Sequence, residues 1–132
     1  MASGDRRSGK ARLLPVRIIG SSMAPTLNEG DWILTLYKPS GLSERNLARA
    51  LGKVVLVRRS ADQEVLTVKR LIKVLDTGYW VEGDNSDAST DSRHYLTISR
   101  EEIVGRALLR YRRGQLSSTR RALHHLLRDY LH

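Results

Sequence analysis

The chain has no cysteine, which excludes disulfide frameworks, thiolate metal sites and cysteine nucleophiles. That absence fits a reducing compartment. Long hydrophobic runs are also missing: nothing approaches the ~18 consecutive apolar residues that span a bilayer. The N-terminus, MASGDRRSGKARLLPV, is basic but lacks an apolar h-region, which excludes a secretory signal. Histidine is scarce, and His124, His125 and His132 fall together near the C-terminus, where a solvated helix face is their ordinary home. No His/Asp/Glu spacing resembles a metal-ligand set, so neither a metal nor a cofactor is expected. The body of the chain lacks excess charge of one sign. Of the net +9, residues 1–12 supply +3 and residues 111–132 supply +4, leaving +2 for the rest. The folded body therefore offers no evident nucleic-acid footprint, and no nucleic-acid partner is expected.

What is present suits one domain. The length is 132 residues, with 40% apolar and 28% charged residues, ordinary for a globular chain able to bury a core unaided. Residues 1–12 have the composition of a disordered basic tail. Val16 to Ile19 form a short apolar strand ending at Gly20, and DWILTLY (31–37) is a second strand. After the turn KPSG (38–41), LSERNLARALG (42–52) is a short helix capped by Ser43, with Leu47, Ala50 and Leu51 on its apolar side. KVVLVRR (53–59) and EVLTVKRLIKVL (64–75) are strands joined by the turn SADQ, and DTG (76–78) turns the chain into YWVEGD. GDNSDASTDSR (83–93) has pure loop composition. EEIVGRALLRY (101–111) fits strand or helix, its alternation being weak, and we assign a strand. Leu116, Leu123, Leu126, Leu127, Tyr130 and Leu131 share one stripe of a C-terminal amphipathic helix in residues 112–132. The expected fold is mainly β, with a short helix and a helical tail around a domain spanning 13–111.

Chemistry centres on GSSMAPTL (20–27). A serine hydroxyl is a poor nucleophile until a base takes its proton. Histidine is the usual base, but only His94 lies near a loop of catalytic composition, and no Asp is placed to orient it. Lysine is the alternative. It must be neutral, and lowering its pKa of about 10.4 by ~3 units takes burial worth roughly 4 kcal/mol. Lys69 sits mid-strand among apolar residues. On strict alternation it shares a face with Thr67, Leu71 and Lys73, while Arg70 points the other way with Val68 and Ile72. From the strand alone, Lys69 is an ordinary snorkelling lysine.

The combination of GSSMAPTL, VKR (68–70) and GDNSDASTDSR, in that order, resembles the motif boxes of type I signal peptidases and mitochondrial inner-membrane peptidases. The resemblance spans roughly residues 16–107 and leaves both basic tails outside. It implies a signal-peptidase/SOS-repressor-type β-fold of antiparallel sheets and a serine endopeptidase with a Ser-Lys dyad that removes a leader through an acyl-enzyme. By that resemblance Ser22 is the nucleophile, Lys69 the general base and Ser89 the hydroxyl that positions the lysine. Asp91 and Arg93 form an ion pair holding the loop, and Gly83, Asp84 and Asn85 shape the floor near the lysine. Pro25 and Thr26 fix the turn after the nucleophile. The oxyanion region comprises Ser22, Ser21 and Gly20, with Gly20 standing where some relatives carry a serine. Lys53 replaces an Asp of the following strand box, and Asp31 follows Gly30 as in many relatives.

The implied partner is a precursor protein with small residues near the cut. Classical members carry a transmembrane anchor that is not seen here. Short anchorless relatives, similar to the peptidases that mature nickel superoxide dismutase, imply a cytoplasmic or peripherally membrane-associated enzyme. Two roles for the C-terminal helix stay open: packing on its own domain or a second subunit, or membrane contact through leucines and arginines. Two functional alternatives also stand. A self-cleaving SOS-type regulator shares dyad and fold, but only 21 residues precede Ser22 and none form an Ala-Gly cleavage pair. A non-catalytic binding module of the same fold would be indifferent to Ser22→Ala.

Overall fold

A computed structural model describes residues 10–59 and 66–111. The N-terminal residues 1–9, the turn SADQ and the expected C-terminal helix lie outside the described residues.

Six strands form one antiparallel sheet in the order β1-β2-β6-β3-β4-β5: β1 (Arg12–Arg17), β2 (Trp32–Tyr37), β3 (Val54–Val57), β4 (Thr67–Leu75), β5 (Gly78–Glu82) and β6 (Ile103–Tyr111). The fold is mainly β, as the strand pattern predicts. The helix α1 (Glu44–Ala50) forms where expected, because Ser43 Oγ accepts from the Asn46 N–H at 3.2 Å and Leu47 and Ala50 are buried. A second, single-turn helix α2 (Ser92–Tyr95) was not foreseen.

Three differences from the sequence pattern have local causes. β1 starts at Arg12, which composition assigns to the tail, and stops at Arg17. Its full length is used because all six residues pair with β2, from Arg12↔Tyr37 to Arg17↔Trp32. β6 is a strand, and its weak alternation reflects two irregularities. Its register slips against β2 between Leu34 and Thr35, and against β3 between Leu56 and Val57. Each slip swaps the face that following side chains occupy. The third difference is at Lys73. A slip between Leu71 and Lys73 pairs Leu71 with Val81 but Lys73 with Trp80, so Lys73 leaves the Lys69 face. Its ammonium lies 5.0 Å from the Trp80 ring centre instead.

One core gathers Leu42, Leu47, Val55, Leu71, Val81 and Ile103 under α1. Another packs Ile18, Met23, Leu27 and Ile33, which anchors the turn after β1 by two of its own side chains. Leu14 and Val16 of β1 share a third cluster with Leu66 and Val68 at the start of β4. Three strands separate β1 from β4 in the sheet, and Tyr37, Leu56 and Val104 from those strands fill the cluster between them. Val68, next to Lys69 at the start of β4, packs against the cluster formed by the segment after β1.

Candidate active site

Lys69 occupies the first half of β4, paired with Val55 of β3, and is 4% exposed. Its ammonium donates to Ser89 Oγ at 2.8 Å. The single hydroxyl proton of Ser89 is committed to Asp91 Oδ2 at 2.6 Å, so this hydroxyl accepts from the lysine and donates to the carboxylate. Asp91 is fully buried, and its Oδ2 also accepts from the Gly83 N–H at 2.7 Å and Arg93 Nη2 at 2.6 Å. Oδ1 accepts from Arg93 Nε at 2.9 Å and the Arg93 N–H at 3.1 Å. Arg93 Nη2 further donates to the Gly83 carbonyl at 3.0 Å.

The charges follow from this wiring. Burial would raise the Asp91 carboxyl, but hydrogen bonds from Arg93, Ser89 and the backbone hold it well below the usual carboxylate range. Burial pushes the Lys69 ammonium below its ordinary value; the Asp91 charge opposes this and Arg93 reinforces it. Arg93 takes up the carboxylate directly, while the lysine meets it only through a hydroxyl. Burial therefore prevails, and the amine is biased towards its neutral form.

Ser22 lies in the turn between β1 and β2 and is half-buried. Its carbonyl accepts from the Asn85 N–H at 2.9 Å, and Asn85 Nδ2 donates to the Ser21 carbonyl at 3.0 Å. Gly83 forms the contact between this turn and the lysine network. A Cβ on Gly83 would stand 2.3 Å from Ser89 Oγ and 2.7 Å from the Ser22 carbonyl oxygen, so only glycine fits. Ser21 and Gly20 are exposed, and Gly20 adopts φ +82 with its N–H donated to Glu29 Oε1 at 2.9 Å.

The ten residues given catalytic, supporting or oxyanion roles by the resemblance thus belong to two linked segments and the strand between them. Asp84 is the exception in direction. Instead of flooring the lysine, its side chain binds Arg70 and Thr26 on the far side of β4, because Arg70 alternates away from Lys69. The segment 83–93 is also more ordered than loop composition implies. Asp91 caps α2 through the Arg93 N–H, and Ser92 Oγ accepts from the buried Val81 N–H at 2.8 Å. An Asp does stand near His94, but the His94 Nδ1 accepts from the Asp91 backbone N–H at 3.3 Å, which is a cap and not a catalytic orientation. Sequence reasoning passed over Arg70 and Arg110. Arg110 donates to the Thr26 carbonyl at 3.1 Å and lies 3.8 Å from Asp31. Adjacent opposite charges in the boxes were the available signal for Arg70; nothing marked Arg110.

Among the described residues, no helix is long and apolar enough to cross a membrane. A family model described as signal peptidase, peptidase S26, matches residues 58–112, a stretch holding Lys69, Ser89, Asp91 and Arg93. The chain is also similar to the mitochondrial ATP-independent inner membrane protease subunit 1a of Arabidopsis thaliana. The two are 37% identical over 114 aligned residues, covering 69% of this chain and 66% of the relative. The chain thus spans just under two thirds of that relative's length. On both findings, the chain belongs to the signal peptidase family.

Proposed function

We propose that this chain is a serine endopeptidase that removes a leader-type segment from a precursor protein, with Ser22 as nucleophile and Lys69 as general base. The observation that carries the reading is the buried Lys69, held by Ser89 and biased towards neutrality beside the Ser22 turn. A lysine with no chemical task gains nothing from such a position, since burying an ammonium costs free energy.

In the proposed reaction, neutral Lys69 takes the Ser22 hydroxyl proton as Oγ attacks the scissile carbonyl. The oxyanion is held in part by the Ser22 backbone N–H, which forms no hydrogen bond within the described residues. The lysinium returns its proton to the leaving amine, giving an acyl-enzyme. Lys69 then deprotonates a water that attacks the ester and frees Ser22. Ser89 fixes the lysine's direction throughout, with its own proton committed to Asp91. The precursor binds with small residues near the cut, a preference that rests on family likeness. The match to a family model described as signal peptidase supports leader-bearing precursors as the substrate class.

The test incubates the full chain with a precursor peptide carrying Ala near the cut. Ser22→Ala and Lys69→Ala should each lose cleavage by at least ~10³-fold. Wild-type activity should rise with pH along a limb set by the lysine and centred below its ordinary value. Undiminished cleavage by either variant overturns the dyad.

A further inference from the structure

Of the carboxylates that touch the Ser22 turn, one has no cation. Asp84 is gripped by Arg70, and Asp31 lies 3.8 Å from Arg110 while accepting the Asn28 N–H at 2.8 Å. Glu29 is exposed, and its Oε1 accepts the Gly20 N–H at 2.9 Å. Among the described residues it forms no ion pair, and its Oε2 accepts no hydrogen bond. The contact is to the peptide that joins Ile19 to Gly20, two residues before Ser22. Ile18 turns its side chain into the core beside Met23 and Leu27. The next side chain, Ile19, alternates outward and is 82% exposed, more than any other large apolar residue described. Gly20 has no side chain, and a Cβ there would meet nothing within 4 Å, so the space beside it is open. An apolar side chain, a bare glycine and an unpaired carboxylate therefore line one notch leading to Ser22. Stability does not explain the carboxylate, because an exposed Gly20 N–H has water to bond.

We infer that Glu29 is a specificity-determining residue of the peptidase site and selects precursors with a lysine or arginine close to the scissile bond. This deepens the reading of Ser22 as nucleophile and rests on it. A long basic side chain suits both walls of the notch: its methylene stem lies along Ile19 and its cationic head meets Glu29 Oε2. Two residues span at most ~7 Å of chain, so with the hydrogen bond added the carboxylate lies within ~10 Å of Ser22. An extended substrate advances ~3.3 Å per residue, which puts the basic residue within about three positions of the cut. A glutamate or aspartate at that position would set like charge against like and be rejected. An exposed pair of this kind supports a preference of about 5-fold.

The experiment uses the full chain and peptides built on one Ala-bearing precursor sequence. Each peptide carries a single Lys, Gln or Glu at one of the three positions on either side of the cut. kcat/KM is measured for the wild type, Glu29→Gln and Glu29→Lys, with Asp76→Asn and Ser22→Ala as controls. The wild type should prefer Lys over Gln by about 5-fold at one of these positions and disfavour Glu there. The preference should shrink in about 1 M salt, which screens exposed charges. Glu29→Gln keeps an acceptor for the Gly20 N–H, so it should cleave the Gln peptide at the wild-type rate while losing the preference. Glu29→Lys should favour the Glu peptide. Asp76→Asn removes the same charge from the turn between β4 and β5 and should leave the preference intact. A wild type indifferent to Lys, Gln and Glu at every position overturns the inference, as does a Glu29→Gln variant that still prefers Lys. So does an equal loss of rate on all peptides in Glu29→Gln, the mark of a prop for Gly20, or a preference lost in Asp76→Asn. An inactive Ser22→Ala beside an unaltered preference in Glu29→Gln overturns the selectivity alone; a Ser22→Ala that still cleaves overturns the dyad and the inference with it.

Discussion

The two halves of the site are built in opposite ways. Around Lys69 the lysine and its nearest partners are interior: the lysine is 4% exposed, Ser89 7%, and Asp91 fully buried with five hydrogen bonds to its carboxylate. Around Ser22 the chain is at the surface. Ile19 is 82% exposed, Gly20, Ser21 and Pro25 are exposed, and the turn is held by groups that reach in from other segments. In the proposed dyad, a base that must lose its charge needs removal from water, whereas a nucleophile that must meet an extended chain needs to be reached. One half is set by dielectric and the other by geometry.

The most damaging way to break this division is at the contact between the halves. Gly83 lies within van der Waals reach of both, and a methyl there would meet Ser89 Cβ at 2.6 Å and the Ser22 carbonyl at 2.7 Å. Both are backbone or near-backbone atoms that cannot swing aside. Gly83→Ala should therefore part the turn from the lysine network, cutting cleavage by on the order of 10²-fold or more. Overpacking should also lower stability by about 1–3 kcal/mol. Steady-state kinetics with a urea titration would check both, and a variant of near-normal activity would mean the halves need not touch.

A smaller effect should separate the halves by acid. The Asp91 carboxyl is buried, yet hydrogen bonds from Arg93, Ser89 and the backbone hold it far below the value of about 3.9 it has when unfolded. Its stabilising contribution is present above about pH 4 and is lost as pH falls from there towards the folded-state value. The urea midpoint of the wild type should drop as pH is lowered below 4, and Asp91→Asn should flatten that drop. The Asp84 carboxyl is also lowered, chiefly by its hydrogen bonds from Arg70, with burial opposing and Thr26 assisting. Being partly exposed, it should matter less. If Asp84→Asn flattened the acid limb as much as Asp91→Asn, the contrast between a buried and a superficial half would fail.

How much of this was legible in the sequence follows the same division. The strands were readable because β-branched runs and turn residues carry local signals, and α1 because Ser43 caps it and Leu47 and Ala50 face one way. Lys69 could be picked out only by the resemblance of three ordered motif boxes, because its strand alone reads as one carrying an ordinary snorkelling lysine. The face of Lys73 could not be read, because a slip against β5 depends on a partner strand and leaves no mark in β4 itself. Asp84 was assigned to the lysine for a similar reason: its neighbour Gly83 does face the network, and only the alternation of Lys69 and Arg70 across β4 decides where the next side chain goes. The order within residues 83–93 was hidden because Asp, Ser and Asn spell loop composition while also being cap residues. Of the contacts that require two segments to meet, the one between Lys69 and Ser89 was given by the family resemblance, and the one between Asp84 and Arg70 was not.

The smallest expected effect on stability bears on the buried half alone. Burial holds the Lys69 pKa down, opposed by the Asp91 charge and aided by Arg93, so folding disfavours the ammonium. Below the folded-state pKa, lysine is protonated in both states and the cost of burying the charge is complete. Between that value and the unfolded one of about 10.4, the unfolded chain holds a proton the folded one lacks, so stability rises with pH. Lys69→Met keeps an unbranched side chain and removes the charge. It should abolish cleavage yet raise stability near pH 7 by about 1 kcal/mol, and the gain should shrink as pH approaches 10. Urea midpoints of both proteins from pH 6 to 10 would show the two curves converging. A methionine variant less stable than wild type at pH 7 would mean that the attraction of Asp91 outweighs burial. The lysine would then be held as a structural cation, and the contrast between a half tuned by dielectric and a half set by geometry would have to be redrawn.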